Sequence, residues 1–339
     1  MTRVCAIESS CDDTSVAIVH DAWWIYKIEQ MFSYSQVADH QQSQGVVPEL
    51  AYRLHSDRII PLIDQITLDK IWSCDAIAVT THPWLPWSLM VGITVAQTLS
   101  QFLSLPFVAV DHIDGHIASL LIDRHLWDVI LPAVILSASG WHTSLFHVTD
   151  FPQDGAHSLG PRWIKTLGVT LDDASGECFD KVSTMLGGWY PGGPWIDIQA
   201  RLGKSNPLVS YRPILLHKWS LDFSFSGMKS QTYQLLQRFS KYWVRIDSQL
   251  ICDIAYAFQE TMVEILIKKI SLALEQTSAK SIGIVGWVSA NTRLQDAIWQ
   301  ITARWISYLA PVKMNYCVDN AGMIWVAGLL YYMYYQSWY

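Results

Sequence analysis

The chain has 339 residues, 51% of them hydrophobic and 16% charged. It can therefore bury enough apolar surface to fold, and it exceeds the usual span of one domain, so two compact lobes are expected. Its formal net charge of -7 excludes a protein that grips nucleic acid through a broad basic face of its own, because neutralising phosphates takes clustered Lys and Arg.

In chain order, Val4 to Ile7 and Val16 to Val19 are apolar runs around the polar turn ESSCDDTS, which reads as strand, turn, strand. Ala76 to Thr80 reads as a strand, Ser88 to Leu103 as a helix and Phe107 to Val110 as a strand ending at Asp111, a βαβ signature that implies a parallel sheet. Pro132 to Leu136 and Ser144 to Val148 flank SASGWHT and repeat the opening hairpin, which points to an internal duplication. Residues 150–235 are richer in Gly, Pro and polar residues. Asp253 to Leu274 follows as a long amphipathic helix, Ser281 to Val285 as a strand, and a last helix starts near Asn320. The apolar tail from Ala321 to Tyr334 falls short of the ~20 residues of a membrane helix, and the first apolar stretch is broken by Glu8, Asp12 and Asp13 as no signal peptide would be. Six scattered cysteines without a CxxC pair fit a reducing cytoplasm.

His112 and His116 stand at i and i+4 directly after a predicted strand, a spacing that places two imidazole nitrogens on one metal ion. The same spacing suits two hydrogen-bonded histidines at a helix start. Ile113 follows the first His, so the HExxH pattern of zinc proteases is absent. Glu8, Asp12 and Asp13 crowd three carboxylates into one turn, suited to a water-held Mg²⁺ or to a solvated hairpin. The turn Ser137 to Thr143 offers small residues and N–H groups for a phosphate, although small turns are common. LDDASGECFDK is a charged helix start or an acidic site, YPGGP a rigid turn open to a ligand, and Ser289 or Asn291 in GWVSAN a helix cap or a ligand contact.

Taken together and in order, IESSCDDTSVAIV, GVVPELAYRLH, HIDGH, SASGWHT, DDASGECFDK, YPGGP, LDFSFSGMK, VSAN and CVDNAGMI resemble the motifs of the bacterial tRNA N6-adenosine threonylcarbamoyltransferase family, from Val4 to about Gly328. The resemblance implies an α/β, two-lobed actin/hexokinase/Hsp70-like (ASKHA) fold with duplicated sheets flanked by helices. It implies residues 1–111 plus about 305–339 as one lobe, 112–304 as the other, and a ligand cleft between them.

It further implies an iron or zinc ion on His112, His116 and Asp319. Threonylcarbamoyl-adenylate is expected against Ser137, Ala138, Ser139, Gly140 and Trp141, with Asp180, Gly193, Asp197 and Asn291, and Mg²⁺ can accompany the nucleotide. Glu8, Asp12 or Asp13 is expected to order metal-bound water or accept the amine proton. The implied activity is threonylcarbamoyl transfer to the adenosine beside the anticodon in tRNAs reading codons that start with A. The implied partners are a paralogous ASKHA subunit and a small ATPase, in the cytoplasm. A small-molecule kinase of the same fold class and a non-catalytic scaffold subunit are the alternatives.

One feature departs from the family: Trp84, Trp87, Trp141, Trp189 and Trp287, with His82 and Gln44, stand where its turns call for glycine. The chain carries 17 Trp and only 18 Gly, below the ordinary Gly share of ~7%. Either the nucleotide pocket is blocked in an inactive relative, or the gene reads UGA as glycine. The second accounts for a single residue type falling repeatedly on glycine sites while the acidic and metal-binding residues persist.

Overall fold

The computed structural model describes residues 2–23, 25–43, 45–149, 163–217, 219–302 and 306–336; the expectation at Gln44 lies outside them. The chain divides into two compact units. One gathers Met1–Ile130 and Leu309–Tyr339 together with Thr149 and Trp163, the other Leu131–Val148 and Ile164–Tyr308.

The first unit holds strands β1 (Arg3–Glu8), β2 (Asp13–Ala22), β3 (Ile25–Ser35), β4 (Ala76–His82) and β5 (Phe107–Asp111). Its helices are α1 (Val37–His40), α2 (Pro48–Ile63), α3 (Leu68–Trp72), α4 (Pro86–Leu103) and α5 (His112–Ala118), with the last helix of the chain, α11 (Ala321–Gln336). The sheet order is β3-β2-β1-β4-β5, with β1 antiparallel to β2 and parallel to β4. Because β1 lies in mid-sheet and is covered on both faces, Val4 to Glu8 are all buried, and the strand reads as a continuous apolar run rather than an alternation. Cys5, Ile7, Val16, Ile18, Ile77 and Val79 pack with Ile59 and Leu62 of α2 and Ala96 of α4. On α11, Gly328 lets the helix press on the sheet, since a methyl group there would lie 2.7 Å from Cβ of Ala78.

The second unit repeats the plan with β6 (Ala133–Ala138), β7 (Thr143–Val148), β8 (Ile164–Val169), β9 (Ser281–Val285) and β10 (Ser307–Leu309), and with α6 (Ser175–Met185), α7 (Gly192–Leu202), α8 (Ser226–Lys241), α9 (Ser248–Thr277) and α10 (Thr292–Thr302). Read from β8, its order β8-β7-β6-β9-β10 mirrors that of the first sheet, with β6 antiparallel to β7 and parallel to β9. The duplication expected from the two hairpins is thus present in the strand order itself. The long helix α9 starts at Asp247, whose carboxylate accepts the Leu250 N–H at 2.9 Å, and Phe258 on it meets Phe179 of α6 edge-on.

The lobe boundary differs from the one expected at residue 112. Residues 112–130 group with the first unit because α5 packs on α11. A methyl group on Gly115 would lie 2.7 Å from Cδ1 of Ile324, so the two helices approach closely at this glycine. The Tyr331 hydroxyl also donates to the half-buried Asp114 carboxyl. Among the described residues no helix is long and apolar enough to cross a membrane, and all six cysteines are free and buried.

Candidate functional site

Asp111 ends β5 and caps α5, its carboxylate accepting the N–H groups of Ile113 at 2.6 Å and Asp114 at 3.3 Å. That cap starts the helix at His112, which puts His112 and His116 one turn apart on its buried face, ring centroids 4.6 Å apart. Asp319 arrives from the other end of the chain. Asn320 holds it there, capping α11 by accepting the Met323 N–H at 3.0 Å and donating to the Val318 carbonyl at 2.7 Å. The Asp319 Oδ1 atom then lies 3.4 Å from His112 Nε2 and 3.1 Å from His116 Nε2. One donor atom from each residue lies within 4.8 Å of the others. A tetrahedral ion with bonds of ~2.0–2.1 Å keeps its ligand atoms roughly 3.3 Å apart. Two imidazoles and a carboxylate at these separations fit a transition-metal ion.

Behind His112 lies a polar layer. Glu8 is fully buried, and its oxygens accept from Ser10 N–H at 2.6 Å and Thr80 Oγ1 at 2.5 Å, with His112 Nδ1 at 3.2 Å. Ser10 Oγ stands 3.0 Å from the same Nδ1. Burial works against the charge on His112, but Asp319 and Glu8 outweigh it and raise its pKa to about 10. Burial lowers the pKa of His116. Burial also opposes the charge on Asp319, yet the two imidazoles hold its carboxyl well below the usual range. Asp12 is pushed up to about 6 by burial and by Asp319, and Asp13 rises well above its ordinary value through burial, Asp12 and Asp319. Thus Glu8, Asp12 and Asp13 all belong to this unit, but Glu8 has both oxygens engaged. The indole of Trp84 meets His112 edge-on at 5.9 Å.

In the second unit, the turn between β6 and β7 is tied internally. Ser139 Oγ accepts the N–H groups of Trp141 at 3.2 Å and His142 at 3.3 Å, so those two donors are engaged within the turn rather than offered to a phosphate. His142 in turn bridges Ser137 Oγ at 2.7 Å and Ser139 Oγ at 2.9 Å. Ala138 is buried at the end of β6, where its carbonyl leaves room only for a glycine at 286: a Cβ there would lie 2.3 Å from it. Asp180 accepts the Gly192 N–H at 2.6 Å and so secures the start of α7. Asp197 pairs with Arg201 at 2.6 Å. Asn291 caps α10 by accepting the Leu294 N–H at 2.9 Å while its amide donates to Gln259 at 2.8 Å. Gly140, Gly176 and Gly193 converge on one side chain, the indole of Trp287.

A profile of tRNA N6-adenosine threonylcarbamoyltransferases matches residues 27–326. Proteins of that name are 38% identical in Bdellovibrio bacteriovorus, over 97% of this chain and 92% of the relative, and 39% identical in Caldicellulosiruptor bescii, over 95% and 90%. The chain belongs to this family. Component A of the Acidaminococcus fermentans (R)-2-hydroxyglutaryl-CoA dehydratase has the same fold over 100% of both chains, at a TM-score of 0.51 and 12% identity. HypF matches at a TM-score of 0.56 and 11% identity, over 97% of this chain and 46% of its own. These neighbours place the threonylcarbamoyltransferase fold in the ASKHA class.

Two features of this threonylcarbamoyltransferase were hidden in its sequence. The Glu8, Ser10 and Thr80 layer joins residues far apart in the chain, and only the crowding of polar residues in ESSCDD hinted at it. The four carboxylates of LDDASGECFDK serve as helix-start and ion-pair groups. Asp172 accepts the N–H groups of Phe225 at 2.7 Å and Ser226 at 3.1 Å, Asp173 pairs with Lys229 at 2.6 Å, and Glu177 pairs with Lys181 at 2.6 Å.

Proposed function

We propose that this chain transfers the threonylcarbamoyl group of threonylcarbamoyl-adenylate to the N6 amine of the adenosine beside the anticodon, in tRNAs reading codons that start with A. The observation that carries this reading is the convergence of His112, His116 and Asp319 at metal-ligand separations in a chain that matches the transferase family nearly end to end. A sugar kinase has no use for such a set, and the relatives' names do not favour the kinase or scaffold alternatives.

The three residues would hold one Fe²⁺ or Zn²⁺ ion, which when bound would polarise an oxygen of the threonylcarbamoyl or phosphate group. The chain's own residues do the rest. Glu8 orients His112 from behind, keeping the Nδ1 proton on the carboxylate side and Nε2 facing the metal position. Asp12 and Asp13 are the carboxylates left to order water or take the proton of the attacking amine. In the second unit Ser137 to Trp141, Asp180, Gly193, Asp197 and Asn291 would receive the adenylate, with Mg²⁺ accompanying the nucleotide. In keeping with the net charge of -7, the phosphate-binding surface for tRNA would come from partners, a paralogous ASKHA subunit and a small ATPase, in the cytoplasm.

The test supplies threonylcarbamoyl-adenylate, unmodified tRNA and those partner proteins, and measures threonylcarbamoyl-adenosine in the tRNA together with bound metal. About one ion per chain and product formation are expected, and both should be lost in His116→Ala. Full metal retention in that variant, or phosphorylation of a sugar without tRNA product, would overturn the reading.

A further inference from the structure

Among the described residues six non-glycine positions have positive φ, and three of them are Trp23, Trp84 and Trp243, although Trp makes up only 17 of 339 residues. A bulky aromatic side chain at positive φ is a genuine outlier, because its Cβ crowds the backbone. At Trp23 and Trp243 the path of the chain itself calls for that geometry.

Ala22 pairs with Ile25 across β2 and β3, so the hairpin turns in two residues. Two-residue hairpins on right-twisted strands use turns that demand positive φ, and these are built from Asn, Asp and Gly. Here the first turn residue is Trp23, with φ 54 and a side chain 91% exposed. At the end of α8 the Trp243 N–H donates to Ser240 at 3.2 Å and the Val244 N–H to Phe239 at 2.9 Å. This is the paired closure whose left-handed residue is most often glycine, and it falls on Trp243, φ 54 and 93% exposed. Trp84 has φ 102, outside even the left-handed well near +50 to +70° that ordinary residues enter.

The side chains offer no compensation at two of these sites, since an almost fully exposed indole packs against little. A fourth position points the same way through space rather than backbone. A methyl group on Gly193 would lie 2.1 Å from the Trp287 ring, one on Gly176 2.7 Å and one on Gly140 3.3 Å. None of these three glycines has positive φ; at Gly176 the Ser139 carbonyl would be closer still, at 2.5 Å, and the Trp287 ring occupies the space left beside all three.

We infer that the protein made in its own cell carries glycine at positions 23, 84, 243 and 287, its gene's UGA codons being read as glycine. Trp84 and Trp287 were already marked by the family's turns. Trp23 and Trp243 are identified by their backbone alone, with no appeal to the family or to the proposed function.

Two measurements test this. Sequencing the gene should show UGA at all four positions, and mass spectrometry of the chain isolated from its native cell should find glycine there. UGG codons, or tryptophan masses in the native peptides, would overturn the inference whatever the enzyme's activity. In a host that inserts tryptophan, the combined variant Trp23→Gly, Trp84→Gly, Trp243→Gly should fold more favourably than the unaltered chain. Each site relieved of left-handed strain should shift the folding equilibrium by roughly 5–30-fold. A combined variant no more stable than the chain with tryptophan would show that these backbones do not require glycine, and the inference would fall.

Discussion

Glu8→Gln isolates the layer behind the metal position without changing any proposed ligand. In the structure the two Glu8 oxygens meet three donors: Ser10 N–H at 2.6 Å, the Thr80 hydroxyl at 2.5 Å and His112 Nδ1 at 3.2 Å. A carboxylate accepts from all of them, whereas glutamine offers one acceptor oxygen and one donor NH₂. With its NH₂ toward Ser10, two donors face each other in a fully buried site, at a cost of about 1–3 kcal/mol. With its NH₂ toward His112, it donates to Nδ1 and forces the proton onto Nε2, the atom aimed at the metal position. Either way the proposed ligand set is weakened. Loss of such an orienting partner typically costs 10–100-fold in metal affinity, equivalent to about 1.4–2.8 kcal/mol. Competition against a chelator of known affinity measures this directly, and denaturant unfolding of the metal-free protein separates it from a general loss of stability. Unaltered metal affinity in a correctly folded Glu8→Gln variant would refute the orienting role.

Metal binding and stability should also respond to pH in opposite directions. His112, raised from 6.5 to about 10, contributes stability to the metal-free protein that is fully present below pH ~6.5 and is lost as pH rises through about 10, which a thermal-unfolding series will show. Since a metal needs the neutral imidazole, uptake should release a proton and apparent affinity should rise with pH over the same window, measurable by chelator competition in several buffers. Asp172→Ala should cost about 1 kcal/mol by removing the cap on α8, with no change in metal content. That cap is worth having only above the usual aspartate range, because hydrogen bonding to Ser224, Phe225 and Ser226 overcomes burial and lowers the Asp172 pKa; urea unfolding at pH 7 and pH 3 checks both points. Finally, Trp141→Gly with Trp287→Gly should raise the adenylate affinity of a tryptophan-containing recombinant chain, as calorimetry will measure, and equal binding by the parent would show that the indoles do not obstruct it.

Elements whose pattern is local were legible in the sequence. The strand expected at Ser281 to Val285 is β9 to the residue, and Phe107 to Val110 and Ser88 to Leu103 fall within β5 and α4. Strand β3 was missed because it is an edge strand, half-exposed over most of its length, with no clean alternation to read. YPGGP was read as a turn, yet Gly192 and Gly193 open α7 with Pro191 as its cap. Two glycines are poor helix formers, and the helix is set instead by the Asp180 bond to the Gly192 N–H. At the metal position, the histidine pair was visible as an i, i+4 spacing, while Asp319 came only through the family resemblance. Spacing says nothing about a residue delivered by a different helix. The boundary at residue 112 moved for the same reason, since the contact of Gly115 with Ile324 is a long-range one.

Most of the first unit is written at opposite ends of the sequence, Met1–Ile130 and Leu309–Tyr339, with the second unit between them. During synthesis at ~5–20 residues per second, the ribosome spends roughly 10–40 s on that interval. Throughout it, the strands of the first sheet wait for α11, whose residues Ala321 to Leu330 end up buried. One face of that sheet is therefore apolar and uncovered on the nascent chain, a natural client surface for chaperones. His112 and His116 are present for the whole of that wait, but Asp319 completes the set only as α11 docks, so closure of the apolar core and assembly of the metal position are a single late event in the life of the chain.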